Sequence, residues 1–369
     1  MQGADRVTAT IDGRAAATPA SLAPDRPRAP GFLAELESVR GLAALSVAVF
    51  HAVHVVPVDG NVRVYLNKLT DFDSLTAGVM RLLMVVFSGG AAVSMFFVLS
   101  GFVLMLSLIR DRKTPGRLAL GFIVRRMLRI YPALAVNIVV MAVAFRMPID
   151  SAFENLALLK SSVNGASWSL FVEIFAIPLL LATWAVTRIG GSVGLAIVII
   201  ISVAAPFSNS ISQGTELGLY WFMFAFGMGA AWWGPKRLSA HPLAIVTALV
   251  ALLCARLLLG YGSRWSLLVE GIASTYIIAA LAFATPTSVH GLLHSTGLGF
   301  LGRTSYSFYL YHPLALGTMI PYLLPLHTSI GPIATALAMS VATVAITLLL
   351  AWLSFVAVEA PFVRLGKRA

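Results

Sequence analysis

Ten apolar runs, at about 39–57, 82–109, 131–147, 168–187, 191–207, 217–233, 242–260, 265–285, 304–325 and 331–357, leave few folds open to this chain. At a rise of about 1.5 Å per residue, roughly 20 residues of helix cross a hydrocarbon core about 30 Å thick. Inside lipid every backbone polar group needs an internal partner, which a helix supplies. The expected fold class is therefore all-α, a polytopic membrane protein with about ten transmembrane helices. Charged residues make up 11% of the 369, against about 25% in soluble domains.

An even number of spans puts both termini on one side, and lysine and arginine choose the side. With a cytoplasmic amino terminus, nineteen of the 26 Lys and Arg fall on inside segments and six outside, with Arg256 within a span. Both termini are expected in the cytoplasm. The net charge of +11 thus reads as topology, and no aromatic-basic groove or nucleic-acid motif accompanies it. Residues 1–30, rich in Ala, Pro, Arg and Asp and lacking a short apolar secretory core, are expected to be a disordered cytoplasmic tail. Residues 31–369 then form one integral-membrane domain, its first helix an uncleaved anchor. The single cysteine, Cys254, permits no disulfide and no cysteine-based metal site within one chain. No internal repeat of the kind common in secondary transporters is evident.

The first span carries the sharpest chemical signal, with Arg40 and His51 in one apolar run. Eleven steps of about 100° come close to three whole turns, so both side chains share a stripe, with His51 roughly 16 Å above Arg40 and near mid-membrane. A histidine there serves either as a hydrogen-bond partner for a neighbouring helix or as a site, since ionisable groups at that depth are costly. Imidazole exchanges protons near neutral pH, and guanidinium grips phosphate or carboxylate as a fork.

Four more stretches carry polar groups into apolar surroundings. Arg125-Arg126-Met-Leu-Arg129 precedes the third span, with Arg126 and Arg129 on one helix face. That run reads either as cytoplasmic anchoring or as a clamp for a phosphorylated ligand. Trp168-Ser169 and Glu173 open the fourth span, Ser169 and Glu173 one turn apart. Glu173 is either a structural partner for another helix, or a group that orients an imidazole or contacts a polar acceptor. In the ninth span Ser305, Tyr309 and His312 form a polar stripe, with His312 before Pro313 placed to cap or kink the helix or to line a substrate cavity. Val358-Glu359-Ala-Pro361 is expected to end the tenth span, because proline cannot continue it.

Taken in order, Arg40 with His51, FFVLSGFVL at 96–104, RRMLRIYP at 125–132, WSLFVE at 168–173, GRTSYSFYLYHP at 302–313 and VEAPF at 358–362 resemble the integral-membrane acyltransferase-3 family over roughly residues 34–366. The resemblance implies an O-acyltransferase of about ten helices in the inner (plasma) membrane. Its acyl group, usually acetyl from cytoplasmic acetyl-CoA, would go to a hydroxyl of a glycan, lipid-linked sugar, Nod-factor-like oligosaccharide or macrolide. It also implies that Arg40 and His51 are the family's essential Arg and His, that Arg126 and Arg129 are its Arg-x-x-Arg pair for the donor, and that Glu173 is the acid of its Trp-Ser-Leu motif. A single-domain version is expected, without the extra hydrolase-like domain fused to some relatives.

On that reading the CoA phosphates meet Arg125, Arg126 and Arg129. His51 acts either as general base on the acceptor hydroxyl or as a covalent acyl carrier, and Arg40 orients the donor or steadies oxyanion charge. Trp168, Ser169, Tyr309 and His312 are the expected substrate-binding residues. No metal is expected, because no His/Asp/Glu cluster has ligand spacing. The alternative from another class is a proton-coupled transporter or flippase using Arg40, His51 and Glu173 as a relay without covalent chemistry.

Overall fold

A computed structural model describes residues 31–60, 64–66, 68, 74–110, 114–208, 216–234, 241–283 and 288–366; the expected tail at 1–30 lies outside the described residues. Among the described residues there is no strand. In chain order the helices are α1 (Gly31–His54), α2 (Leu75–Val86), α3 (Gly89–Arg110), α4 (Pro115–Ala144), α5 (Ile149–Leu156), α6 (Ser167–Phe175), α7 (Ile177–Ala204) and α8 (Glu216–Trp233). They continue as α9 (Pro242–Leu259), α10 (Arg264–Phe283), α11 (Ser288–Leu293), α12 (Thr296–Arg303), α13 (Ser305–Leu323), α14 (His327–Ile330), α15 (Pro332–Ser354) and α16 (Ala360–Gly366). The protein is an all-helical, multi-pass membrane protein.

Among the described residues seven stretches are long and apolar enough to cross a membrane: Ala34–His54, Leu75–Arg110, Gly116–Ala144, Ser167–Phe207, Pro242–Leu259, Arg264–Phe283 and Pro332–Gly366. The difference from ten apolar runs has two causes. The runs at 168–187 and 191–207 fall into one stretch, and α8 and α13 are helical but diluted by Trp, Tyr, Gly, Ser and His. Within α7 the chain breaks at Gly191, whose φ of 56° and ψ of −141° suit glycine alone. A Cβ on Gly194 would stand 2.7 Å from the Val186 carbonyl oxygen, so the two arms double back on each other.

Two glycine contacts bring the central helices together. A Cβ on Gly101 of α3 would lie 2.1 Å from the Phe224 carbonyl oxygen, and one on Gly227 of α8 would lie 1.9 Å from that of Val98. Backbone thus meets backbone, the small-residue packing that membrane helices use where lipid offers no hydrophobic drive. On the other flank, a Cβ on Gly302 of α12 would stand 2.3 Å from the Glu37 carbonyl oxygen of α1, which presses the turn before Arg40 onto α12.

The expected stop at Pro361 is corrected. The last stretch runs on to Gly366, because Phe355–Glu359 widens into a π turn and Pro361 falls in the first turn of α16, where its missing N–H costs no helical bond. The bulge buries Glu359 rather than releasing it to the surface.

Candidate active site

The arginine end of α1 is built from five helices. Arg126 of α4 pairs with Glu173 of α6 and donates to Ser100 Oγ of α3 at 3.3 Å. Ser100 Oγ in turn donates to Glu173 Oε1 at 2.6 Å. Arg129, one turn along α4, and Arg40 of α1 lie within electrostatic reach of each other, of Tyr306 and of Glu359. Glu359 accepts from Ser307 Oγ at 2.7 Å, and Tyr306 donates to the Ile130 carbonyl at 2.7 Å, which ties α13 to α4. Arg126 is buried, and its Nε finds no hydrogen-bond partner among the described residues. Three guanidinium groups therefore gather among three carboxylates, Glu173, Glu359 and Glu37, the last within electrostatic reach of Arg40.

Arg125 is set apart from this group. Its backbone stands 3.6 Å from a Cβ placed on Gly366, so it occupies the α16 side of α4, about 100° round from Arg126. Glu173 also differs from one expectation. The structure places its carboxylate with Arg126 and Ser100, not with an imidazole, because it lies one turn nearer the arginine end than Ser169.

The second group is a pair of imidazoles. His51 of α1 and His312 of α13 have ring centroids 5.2 Å apart, inclined at 31°. His51 Nδ1 lies 2.8 Å from the Val47 carbonyl oxygen, and His312 Nδ1 lies 2.7 Å from that of Tyr309. A carbonyl only accepts, so both Nδ1 atoms carry hydrogen and each neutral ring keeps its Nε2 lone pair as a proton acceptor. The local sequence explains the second bond. Pro313 has no N–H to offer the Tyr309 carbonyl four residues back, and His312 supplies the missing donor.

Beside the pair, Ser169 Oγ donates to the Ala166 carbonyl at 3.1 Å and shares a 2.8 Å hydrogen bond with the Tyr309 hydroxyl. A sealed asparagine network holds this corner. Asn164 Nδ2 donates to Asn137 Oδ1 at 2.6 Å and to the Leu310 carbonyl at 3.0 Å. Asn155 donates to Ser167 Oγ at 2.8 Å and accepts from the backbone of Val163 and Asn164. All three asparagines are fully buried. Satisfied networks of this kind fix one arrangement, here the entrance of α6 and with it Trp168 and Ser169.

Sequence reading took Glu359 only as the end of a span and gave Ser100, Tyr306 and the asparagines no role in the site. It also passed over a second buried ion pair: Arg256 of α9 donates through Nε and Nη2 to Glu270 of α10 at 2.6 and 3.1 Å, and Ser94 Oγ of α3 donates to the same carboxylate at 2.6 Å. Two charges inside apolar runs were the available signal.

A family model described as an acyltransferase domain matches residues 33–352. The chain belongs to this acyltransferase-3 family. No curated protein and no solved structure matches it. The match takes in α1 to most of α15, so both polar groups of the membrane acyltransferase lie within it except Glu359, which follows its end.

Proposed function

We propose that this acyltransferase moves an acyl group, acetyl from acetyl-CoA in the simplest case, to a hydroxyl of a carbohydrate, glycolipid or macrolide acceptor. The observation that carries the reading is the division of labour along α1. Guanidinium groups surround Arg40, and an imidazole pair with two available Nε2 atoms surrounds His51, about 16 Å further on at 1.5 Å per residue. The polyphosphate of CoA needs several cations, and its extended pantetheine arm covers a distance of that order. Arg126 and Arg129 hold the phosphates together with Arg40, while Arg125 lies at the rim of the same helix.

At the imidazole pair the chemistry is acyl transfer from sulfur to oxygen. The Nε2 of His51 takes the proton of the acceptor hydroxyl as its oxygen attacks the thioester carbonyl. The tetrahedral intermediate collapses by breaking the C–S bond, and the CoA thiolate recovers the proton from the imidazolium. His312 and Tyr309 orient the acceptor hydroxyl toward that Nε2. Both Nδ1–H bonds to backbone carbonyls hold the rings in the required tautomer without further reorganisation.

The arginine end and both termini face the cytoplasm of the inner (plasma) membrane on this reading, as the lysine and arginine bias favours. The acceptor enters from the opposite face. The test is to follow radiolabel from [acetyl-14C]-CoA into glycan, glycolipid and macrolide acceptors, with full-length protein in liposomes. Labelled ester that depends on His51 supports the reading. Acceptor moved across the bilayer with no acyl-CoA consumed would replace it with the transporter alternative.

A further inference from the structure

A cavity of about 370 Å³ lies at the turn between α9 and α10, lined by Arg256, Arg264, Tyr220, Tyr261 and Trp168 among others. No Asp, Glu or His is among its lining residues, and neither are Arg40, Arg126 and Arg129. The space is therefore separate from the imidazole pair and from the three-arginine cluster.

Its depth is that of a lipid headgroup. Two stretches able to cross a membrane, Pro242–Leu259 and Arg264–Phe283, stop and start on either side of this turn. Gly260 and Gly262, with φ of 95° and 81°, let the chain reverse there. Trp and Tyr favour the membrane surface, and basic pockets between spans receive lipid phosphate at that level. Phosphate in a membrane lipid is commonly a diester carrying one negative charge.

The lining has the donors that such a group needs. Arg256 gives Nε and Nη2 to Glu270 at 2.6 and 3.1 Å, which leaves Nη1 as the nitrogen not engaged by that carboxylate. A Cβ on Gly90 would stand 2.5 Å from Nη1, and Gly90 lines the cavity, so the glycine keeps open the space that this nitrogen borders. Arg264 belongs to α10, Tyr220 to α8 and Tyr261 to the turn, which places donors on several walls. A tetrahedral phosphate presents oxygens in several directions, whereas a carboxylate presents two in one plane. Behind the wall, Arg81 lies within electrostatic reach of Arg256, and Lys68 Cε would stand 3.3 Å from a Cβ on Gly260. Glu270 on Arg256 and Glu216 within reach of Tyr220 offset part of that charge. The volume exceeds a bare phosphate, and the Trp168–Tyr220 corner, with centroids 5.5 Å apart at 45°, offers ring faces to its substituents.

We infer that this cavity binds a phosphodiester monoanion, its oxygens held by Arg256 and Arg264 and its ester arms packed on Tyr220, Tyr261 and Trp168. An anionic phospholipid and a water-soluble glycerophosphodiester carry the same group, and the test separates them. Full-length protein in dodecyl maltoside is titrated calorimetrically with dihexanoylphosphatidylglycerol, with its deacylated headgroup glycerophosphoglycerol, and with zwitterionic dihexanoylphosphatidylcholine.

At least one of the two anions is expected to bind tenfold or more tighter than the zwitterion. Arg264→Gln and the cavity-filling Leu219→Trp should each weaken that binding by about tenfold or more, through loss of a charge-assisted contact in one and of space in the other. Arg129→Ala should stay within about twofold, and thermal unfolding without ligand reports an intact fold in each variant. Binding of the lipid alone would support a bilayer headgroup as the occupant, and equal binding of glycerophosphoglycerol a soluble phosphodiester. Neither anion binding more tightly than the zwitterion would overturn the inference. Affinity unmoved in both Arg264→Gln and Leu219→Trp, or lost only in Arg129→Ala, would overturn the location.

Discussion

Helix α3 presents two serines, Ser94 and Ser100, and each completes an arginine–glutamate pair drawn from two other helices. The chemistry is the same and the settings are opposite. Arg256 and Glu270 are buried, with side-chain exposures of 9% and 0%, and their carboxylate is forked by one guanidinium, with the buried Arg81 within electrostatic reach of Arg256. Arg126 and Glu173 are more open at 8% and 19%, Arg126 Nε is left over, and Arg40 and Arg129 crowd the same space. A bidentate pair clamps α9 to α10. The three-arginine cluster spreads its contacts over several helices and leaves Arg126 Nε for the anionic donor of the proposed function.

Removing half of the bidentate Arg256–Glu270 pair should have the largest effect on stability. Glu270→Ala strands a buried guanidinium, at a cost of about 3–5 kcal/mol, whereas the double change Arg256→Met with Glu270→Leu should recover most of it. Thermal unfolding in a mild detergent reads both. Recovery absent in the double variant would mean that the pair holds more than its own charges.

Next comes the three-arginine cluster. Arg129→Ala should leave unfolding almost unchanged yet weaken acyl-CoA binding by about 10- to 100-fold, the loss of a charge-assisted contact. The weakened variant should also depend less on salt. Equal losses of stability for Arg129→Ala and Glu270→Ala would erase the contrast between the two clusters.

A smaller effect should follow from Gly90→Ala. The new methyl would stand 2.2 Å from Arg256 Cζ and force the guanidinium off Glu270 or off Tyr261, which overpacking places at about 1–3 kcal/mol. Melting temperature measures it, and acyl-CoA affinity should not follow. The mildest change is Tyr309→Phe, which removes the hydroxyl shared with Ser169 and should cost about 1 kcal/mol in kcat/KM. No change there would detach Tyr309 from acceptor alignment.

What was legible in the sequence was whatever repeats along one helix. Apolar runs announced the membrane helices, and the eleven-residue spacing put Arg40 and His51 on one stripe. The four-residue spacing put Ser169 and Glu173 on one face, yet each found a partner from a different helix, Tyr309 for one and Arg126 for the other. Those partners depend on how α3, α4, α6 and α13 cross, and a spacing rule within one helix carries no such information. The same holds for His51 and His312, which lie 261 positions apart and meet only because α1 packs on α13. The π turn at Phe355–Glu359 escaped notice because a proline close behind a glutamate reads as a stop until the widened turn places it in a fresh first turn. Arg256 and Glu270 were visible as two intramembrane charges, but only the α9–α10 hairpin makes them one pair.

The central claim is that charge receives the donor at one end of α1 and imidazole performs the transfer further along. The most direct measurement compares release of free CoA thiol from acetyl-CoA by wild type and His51→Ala in liposomes, in the presence and absence of sugar acceptors, alongside equilibrium binding of acetyl-CoA. The account predicts acceptor-dependent release that falls by about 10²- to 10⁴-fold in the variant while acetyl-CoA binding is retained. Undiminished release by a folded His51→Ala protein would contradict it.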